Sequence, residues 1–324
     1  MTGPGPIARA LGPTRDPLAR SLHRLVAGCG DEPNLALADL ARAAHRAEVA
    51  VLAASLLPAL APHLGDILDR QRRFDALLEL ALAEVAPVLV AGPPVALAKG
   101  TATAAWCYAV SAERQRKDLD LLVGDALPEV RSRLLARGWR DHLDPRASRD
   151  VTTARAWPMA KELGRATIGL DLHRGLVHGT WCRPDVAAMI AAAVPGRTVL
   201  PVTSAVDTLV HTAVHLTGSG YHEPLKGWVD LLRLAPLVSP DMLAARAAHH
   251  HARTATWACL GVVGRWFGDQ PGLAAIIAAH RAELGTPRHG RLIDALLAGE
   301  HATPERRPMP RGLAYRFWRL AARD

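Results

Sequence analysis

The run Asp118-Leu119-Asp120-Leu121-Leu122-Val123 constrains the fold more than any other segment of the chain. It alternates polar and apolar at its start and is then wholly apolar, the pattern of a strand near the middle of a sheet. A side-chain period of two sends Asp118 and Asp120 to one face and Leu119 to the other. The chain must therefore form a sheet around this strand, although Ala, Leu and Arg, all strong helix formers, dominate its composition.

The rest of the sequence supplies the helices. Residues 1–16 are rich in Gly and Pro and read as a flexible N-terminus. Residues 17–91 read as an N-terminal helical layer, with apolar positions recurring every three or four residues from Leu37 to Leu57 and with Pro87 expected to kink or end a helix. A mixed α/β block is expected over 92–200. In it a short buried strand (95–98) is followed by a helix of small residues (101–110), the strand 118–123, a helix (128–137) and a strand running into a turn (166–176). Residues 141–165 resist assignment apart from the β propensity of 151–157. Helices are expected again through a C-terminal region, 201–300, and residues 301–324 read as a tail. The order predicts an α+β fold, a small mixed sheet flanked by an N-terminal helical layer and a C-terminal helical region.

Of the 324 residues, 49% are hydrophobic, enough for a sizeable core. The formal net charge of +8 suits an anionic partner, but no run of five basic residues marks a nucleic-acid footprint, so nucleic acid is permitted and not required. The four cysteines (29, 107, 182 and 259) are widely spaced, which predicts reduced thiols. There is no apolar signal region and no apolar run long enough to cross a membrane, so a cytoplasmic protein without a membrane partner is expected.

The chemistry concentrates between Lys99 and Val123. Asp118 and Asp120, about 7 Å apart along one strand face, can share divalent cations, Mg²⁺ or Mn²⁺. Asp171, set between Leu170 and Leu172, supplies a third carboxylate if its strand pairs beside the first. Metals held there could clamp the attacking and leaving oxygens of an in-line displacement at phosphorus. Gly100 opens a helix and lets its backbone approach a phosphate, and the N–H groups of that helix point at the same anion. Thr101 could cap the helix or touch the phosphate. Arg114, Arg116 and Lys117 stand just before the aspartates, where guanidinium groups match phosphate oxygens. Lys99 is one of only four lysines (99, 117, 161 and 226) among 39 basic residues.

Three segments carry a resemblance to a known family: Val95–Gly100, Arg114 with Lys117–Val123, and Leu170–His173. With the later LVHTAVH (209–215) and the Asp230 of WVDLLRL, the chain resembles the uncharacterised nucleotidyltransferases of the DNA polymerase β-type superfamily over roughly residues 70 to 240. The resemblance implies a nucleotidyltransferase α/β core at 92–200. It also implies Mg²⁺-dependent transfer of a nucleoside monophosphate from an NTP such as ATP to a hydroxyl, with release of pyrophosphate. Gly100 would sit at the phosphate turn, Asp118 and Asp120 would be paired metal ligands, and Asp171 a ligand or general base. Lys99 stands where the wider superfamily has a first glycine or its equivalent.

Other residues are candidates for contact with substrate. His173 shares a face with Asp171, and His211 and His215 are four apart on one helix face, with Asp230 following. His215 and Asp230 are retained with His173 as possible substrate contacts. The acceptor could be a small molecule, a peptide or an RNA end. Two other readings remain: a catalytically silent nucleotide- or protein-binding module of a biosynthetic assembly, and a toxin-like enzyme acting on tRNA.

Overall fold

The computed structural model describes residues 17–28, 36–142, 150–176, 182–219, 224–270 and 272–297, so the expected flexible N-terminus and tail lie outside the described residues. In chain order the helices and strands are α1 (Pro17–Val26), α2 (Leu37–Arg46), α3 (Ala50–Leu56), α4 (Ala61–Leu64), α5 (Asp66–Val90), β1 (Ala96–Leu97), α6 (Lys99–Cys107), β2 (Asp118–Leu122) and α7 (Leu127–Leu135). They continue with β3 (Arg140–Asp141), β4 (Ala156–Leu163), β5 (Ala166–His173), α8 (Val186–Ala191), α9 (Ala205–Gly218), α10 (Leu225–Leu234), α11 (Pro240–His249), α12 (Arg253–Phe267), α13 (Leu273–Leu284) and α14 (Gly290–Leu297). The fold is α+β. Among the described residues, no helix is long and apolar enough to cross a membrane.

The described chain divides into two compact units. One holds residues 66–176 and 185–208, the other 17–65, 182–184 and 209–297. Helix α5, part of the expected N-terminal layer, belongs to the unit with the sheet, and the helices before it group with the C-terminal ones.

The sheet has the order β1-β2-β5-β4-β3. β2 and β5 run parallel, and the remaining neighbours are antiparallel. Leu119 and Leu121 of β2 and Ile168, Leu170 and Leu172 of β5 face the main core, where they meet Leu78, Leu82, Val85 and Leu89 of α5 and Val130 and Leu134 of α7. The α5 residues recur at helical spacing, so one stripe of that helix covers the sheet. Each such Leu or Val contributes about 1.5–3 kcal/mol by leaving water, and this apolar face is what fixes the register. The opposite face of the same two strands carries Leu122, which packs with Ala98, Val186 and Met189 in a smaller cluster under α8. It also carries the acidic residues.

Two expectations shift. The helix expected to open at Thr101 opens at Lys99, with Ala98 at its cap position and no side chain capping it, so Thr101 is not the cap. Pro87 lies inside α5, in its last turn, and the helix runs on to Val90.

In the helical unit, α12 is buried at every position from Thr254 to Val263. Trp266 stacks within 5.1 Å of His23 and 5.0 Å of Trp228. Burial pushes the His23 imidazole down to about 4, so it is neutral at physiological pH. Lys226 pairs with Glu48, and Arg281 stacks 3.6 Å from the centre of the Trp257 ring while binding Asp294.

Candidate functional site

The parallel pairing sets Asp118 opposite Gly169, Asp120 opposite Asp171 and Leu122 opposite His173. Residues paired across a sheet point to the same face, so Asp120, Asp171 and His173 converge on the side away from the main core. One ligand atom from each lies within 4.8 Å of the other two. Asp118 lies outside that group, one step along the strand, with its Cβ 3.4 Å from where a side chain on Gly169 would begin. The three converging donors are thus two aspartates and a histidine, where the sequence pointed to three aspartates.

Lys99 completes the cluster from the first position of α6. Its ammonium donates to Asp120 Oδ1 at 2.6 Å and lies 3.2 Å from His173 Nε2. His173 Nε2 is itself 2.8 Å from Asp120 Oδ1. With its proton on Nδ1, the imidazole can accept from Lys99 or offer a lone pair to a metal; with the proton on Nε2 it donates to Asp120. Lys99 has φ +48°, a left-handed conformation that a residue with a Cβ rarely adopts. Such backbone costs on the order of 1–3 kcal/mol and gathers at functional sites.

The electrostatics follow from burial and proximity. Burial would raise the Asp120 carboxyl, but the Lys99 ammonium and the His173 hydrogen bond outweigh it and hold that carboxyl below the ordinary range. Burial would lower Lys99, but Asp120, Asp171 and Asp118 together hold its ammonium above the ordinary lysine value. Asp171 goes the other way, raised by burial and then by the charge of Asp120. Two neighbouring carboxylates are thus driven apart, one firmly ionised and one proton-seeking.

Gly100 follows Lys99. A Cβ placed there would lie 3.3 Å from Arg116 Cγ and 3.7 Å from Arg114 Nη1, so the helix start packs directly on the basic cluster. The two arginines have different tasks. Arg114 is buried with one guanidinium nitrogen donating to the Gln115 carbonyl at 2.6 Å. Arg116 is 2% exposed and held by Asp75 at 2.5 Å and Glu79 at 2.7 Å, both on α5. It also reaches the buried Thr101 hydroxyl at 3.4 Å. The Arg116 guanidinium, expected at phosphate, is matched here to the carboxylates of α5. Thr101 belongs to the same buried contact. Lys117 is exposed.

The remaining candidates lie in the other unit. His215 is exposed on α9 and its ring is 6.3 Å from that of buried His211. Asp230 is buried on α10. Among the described residues, these do not form a ligand group like that of Asp120, Asp171 and His173.

The sequence could reach His173 through its spacing from Asp171, and it named that residue as a substrate contact without making it a ligand. Asp75 was missed, since nothing local marks an acid 41 residues ahead of its partner.

The donor set fits a divalent cation. Two carboxylates suit the oxygen-seeking Mg²⁺ or Mn²⁺, and an imidazole in the same cluster favours a transition ion over Mg²⁺. A separate cavity of about 490 Å³ opens at the far end of α6, lined by Trp106, Cys107, Tyr108, Pro195 and Arg197 among others. There the Arg197 guanidinium donates to the carbonyls of Ala104 and Tyr108 and so caps the helix. Over residues 36–268 the chain matches the sequence model of a family described as "Uncharacterised nucleotidyltransferase". Among curated proteins, no sequence matches it.

Proposed function

Because the chain belongs to this family of nucleotidyltransferases, we propose that it transfers a nucleoside monophosphate from an NTP, ATP among them, to a hydroxyl acceptor and releases pyrophosphate. The observation that carries this reading is the convergence of Asp120, Asp171 and His173 within 4.8 Å beside the start of α6. A divalent cation bound by these residues would polarise the phosphoryl oxygens and offset charge on the leaving group.

The chain's own residues supply the rest. Asp120, firmly ionised, is the anchoring carboxylate. Asp171, whose carboxyl is raised, accepts the proton of the acceptor hydroxyl as that oxygen attacks the α-phosphorus. Asp118, on the same face, adds negative charge beside the cluster and reinforces cation binding. The N–H groups at the start of α6 carry no side-chain cap and are positioned to receive phosphate oxygens, with Gly100 allowing close approach. Arg114, beside Gly100, and the exposed Lys117 stabilise the departing pyrophosphate.

The test is transfer from an α-phosphate-labelled NTP into acceptors of a cell extract, with Mg²⁺ or Mn²⁺ present and pyrophosphate release measured in parallel. Label transfer that depends on the cation and is lost in Asp120→Asn is expected. Undiminished transfer in both Asp120→Asn and Asp171→Asn would overturn the assignment.

A further inference from the structure

We propose that Lys99 is a built-in occupant of the cation position, so that the site takes a divalent ion together with a triphosphate more tightly than the ion alone. The inference rests on the metal-site reading above and adds an order of binding to it.

Geometry carries it. The Lys99 ammonium is 2.6 Å from Asp120 Oδ1 and 3.2 Å from His173 Nε2. Asp120 and His173 are two of the three residues whose ligand atoms gather within 4.8 Å of one another. An ion coordinated by Asp120 Oδ1 at about 2.1 Å would lie within roughly 5 Å of that ammonium. Two positive centres sharing one carboxylate oxygen in a half-buried cluster repel strongly, so the lysine must leave when the ion arrives. It has somewhere to go. Lys99 is the first residue of α6, and the N–H groups of that helix start carry no side-chain cap. A triphosphate received there would sit within reach of a lysine side chain anchored at the same turn. Its charge would compensate the ammonium for the loss of Asp120.

Two further features agree. The left-handed backbone at Lys99, φ +48°, is a strained geometry that a lysine with no positional task would not need. The surrounding charge also favours a cation here. Asp120, Asp171 and Asp118 all act on Lys99, so one ammonium faces three acidic groups. Lys99 thus balances the carboxylates and hands them over when the phosphates bring both a new cation and a new anion.

The test measures Mn²⁺ binding by electron paramagnetic resonance of the free ion, with and without a non-hydrolysable α,β-methylene triphosphate. Wild-type protein, Lys99→Met and Lys99→Arg are compared. Lys99→Met is expected to bind Mn²⁺ alone at least about tenfold more tightly than wild type, while Lys99→Arg stays weak. The triphosphate analogue should raise Mn²⁺ affinity about tenfold in wild type and much less in Lys99→Met. Equal Mn²⁺ affinity of wild type and Lys99→Met without nucleotide would overturn the inference and leave the metal site standing. Absence of Mn²⁺ binding in every protein, with and without the analogue, would overturn both.

A second measurement needs no variant. Acetic anhydride labelling of wild-type lysines, read by mass spectrometry, should show Lys99 protected in chelator and more reactive at saturating Mn²⁺. Unchanged Lys99 labelling in saturated protein would sink the displacement.

Discussion

Asp120 and Asp171 stand directly opposite each other on the parallel strands β2 and β5, yet their carboxyl groups are driven in opposite directions. Lys99 and His173 both contact Asp120. Asp171 also feels His173, Lys99 and His142, but their charges do not outweigh burial and the neighbouring negative charge. A pair of like residues in one environment is thereby divided into an anchor and a base.

The base assignment predicts a kinetic signature. Asp171→Asn should lower kcat by about 10²–10⁴, the usual contribution of a positioned proton acceptor. Steady-state rates with any acceptor that supports transfer will check this, and a loss confined to KM would contradict it.

A pH profile follows from the same residue. A base works only when deprotonated, so kcat/KM should rise with pH through the Asp171 value. Without a cation that value lies above the ordinary aspartate pKa of about 3.9. A cation held beside Asp171 lowers it, so the acidic limb should move to lower pH as Mn²⁺ is raised, and the residual activity of Asp171→Asn should lack it.

Stability should move in opposite senses for the two aspartates. The depressed Asp120 stabilises the fold above the ordinary carboxyl value of about 4, and this contribution is lost as pH falls through its lower folded value. The raised Asp171 costs stability once it ionises. In chelator at neutral pH, Asp120→Asn should be destabilised by about 1–3 kcal/mol and Asp171→Asn stabilised by about 0.5–2 kcal/mol. Both differences should shrink as pH is taken below about 4, measured by urea unfolding.

The buried pair of Arg116 and Asp75 predicts a stability effect with no chemistry in it. Asp75→Ala leaves the Arg116 guanidinium, its side chain 2% exposed, to the half-exposed Glu79 and to Thr101, and should cost about 1–3 kcal/mol. Replacing both partners by apolar residues of similar volume, Asp75→Leu with Arg116→Met, should recover most of that loss. Denaturant midpoints of the single and double variants are the measurement.

Gly100→Ala places a methyl 3.3 Å from Arg116 Cγ and 3.7 Å from Arg114 Nη1. Arg116 is fixed by Asp75, so Arg114 and the helix start must give way. Triphosphate affinity is expected to fall about tenfold, roughly 1.4 kcal/mol, with little change in unfolding midpoint. An unchanged Kd would remove Gly100 from the phosphate turn.

Much of this arrangement can be read from local pattern. Period-two alternation puts Asp118 and Asp120 on one face, and Asp171 and His173 on one face, before any pairing is known. The apolar ends of the same segments mark β2 and β5 as central. What local pattern does not carry is pairing over distance. The match of Asp120 to Asp171 spans 51 residues and is fixed by packing of Leu119, Leu121, Leu170 and Leu172 under α5. The same holds for Arg116, a phosphate ligand by its position in sequence and a core ion-pair partner in space. Strand β4 was obscured by Pro158, a residue that argues against a strand with neighbours on both sides. The buried Trp157 and Met159 on either side of it carry the alternation. The grouping of residues 17–65 with the C-terminal helices is likewise a matter of contacts that no local signal announces.

The parallel joint between β2 and β5 has an evolutionary and practical consequence. Sliding β5 by a single residue would turn Asp171 and His173 into the oily interior and push Ile168, Leu170 and Leu172 outward. The misaligned sheet would lose its packing and its ligand cluster in one event. Quality control of the chemistry is therefore delegated to the leucines: any molecule that survives as a folded sheet has already aligned its acids.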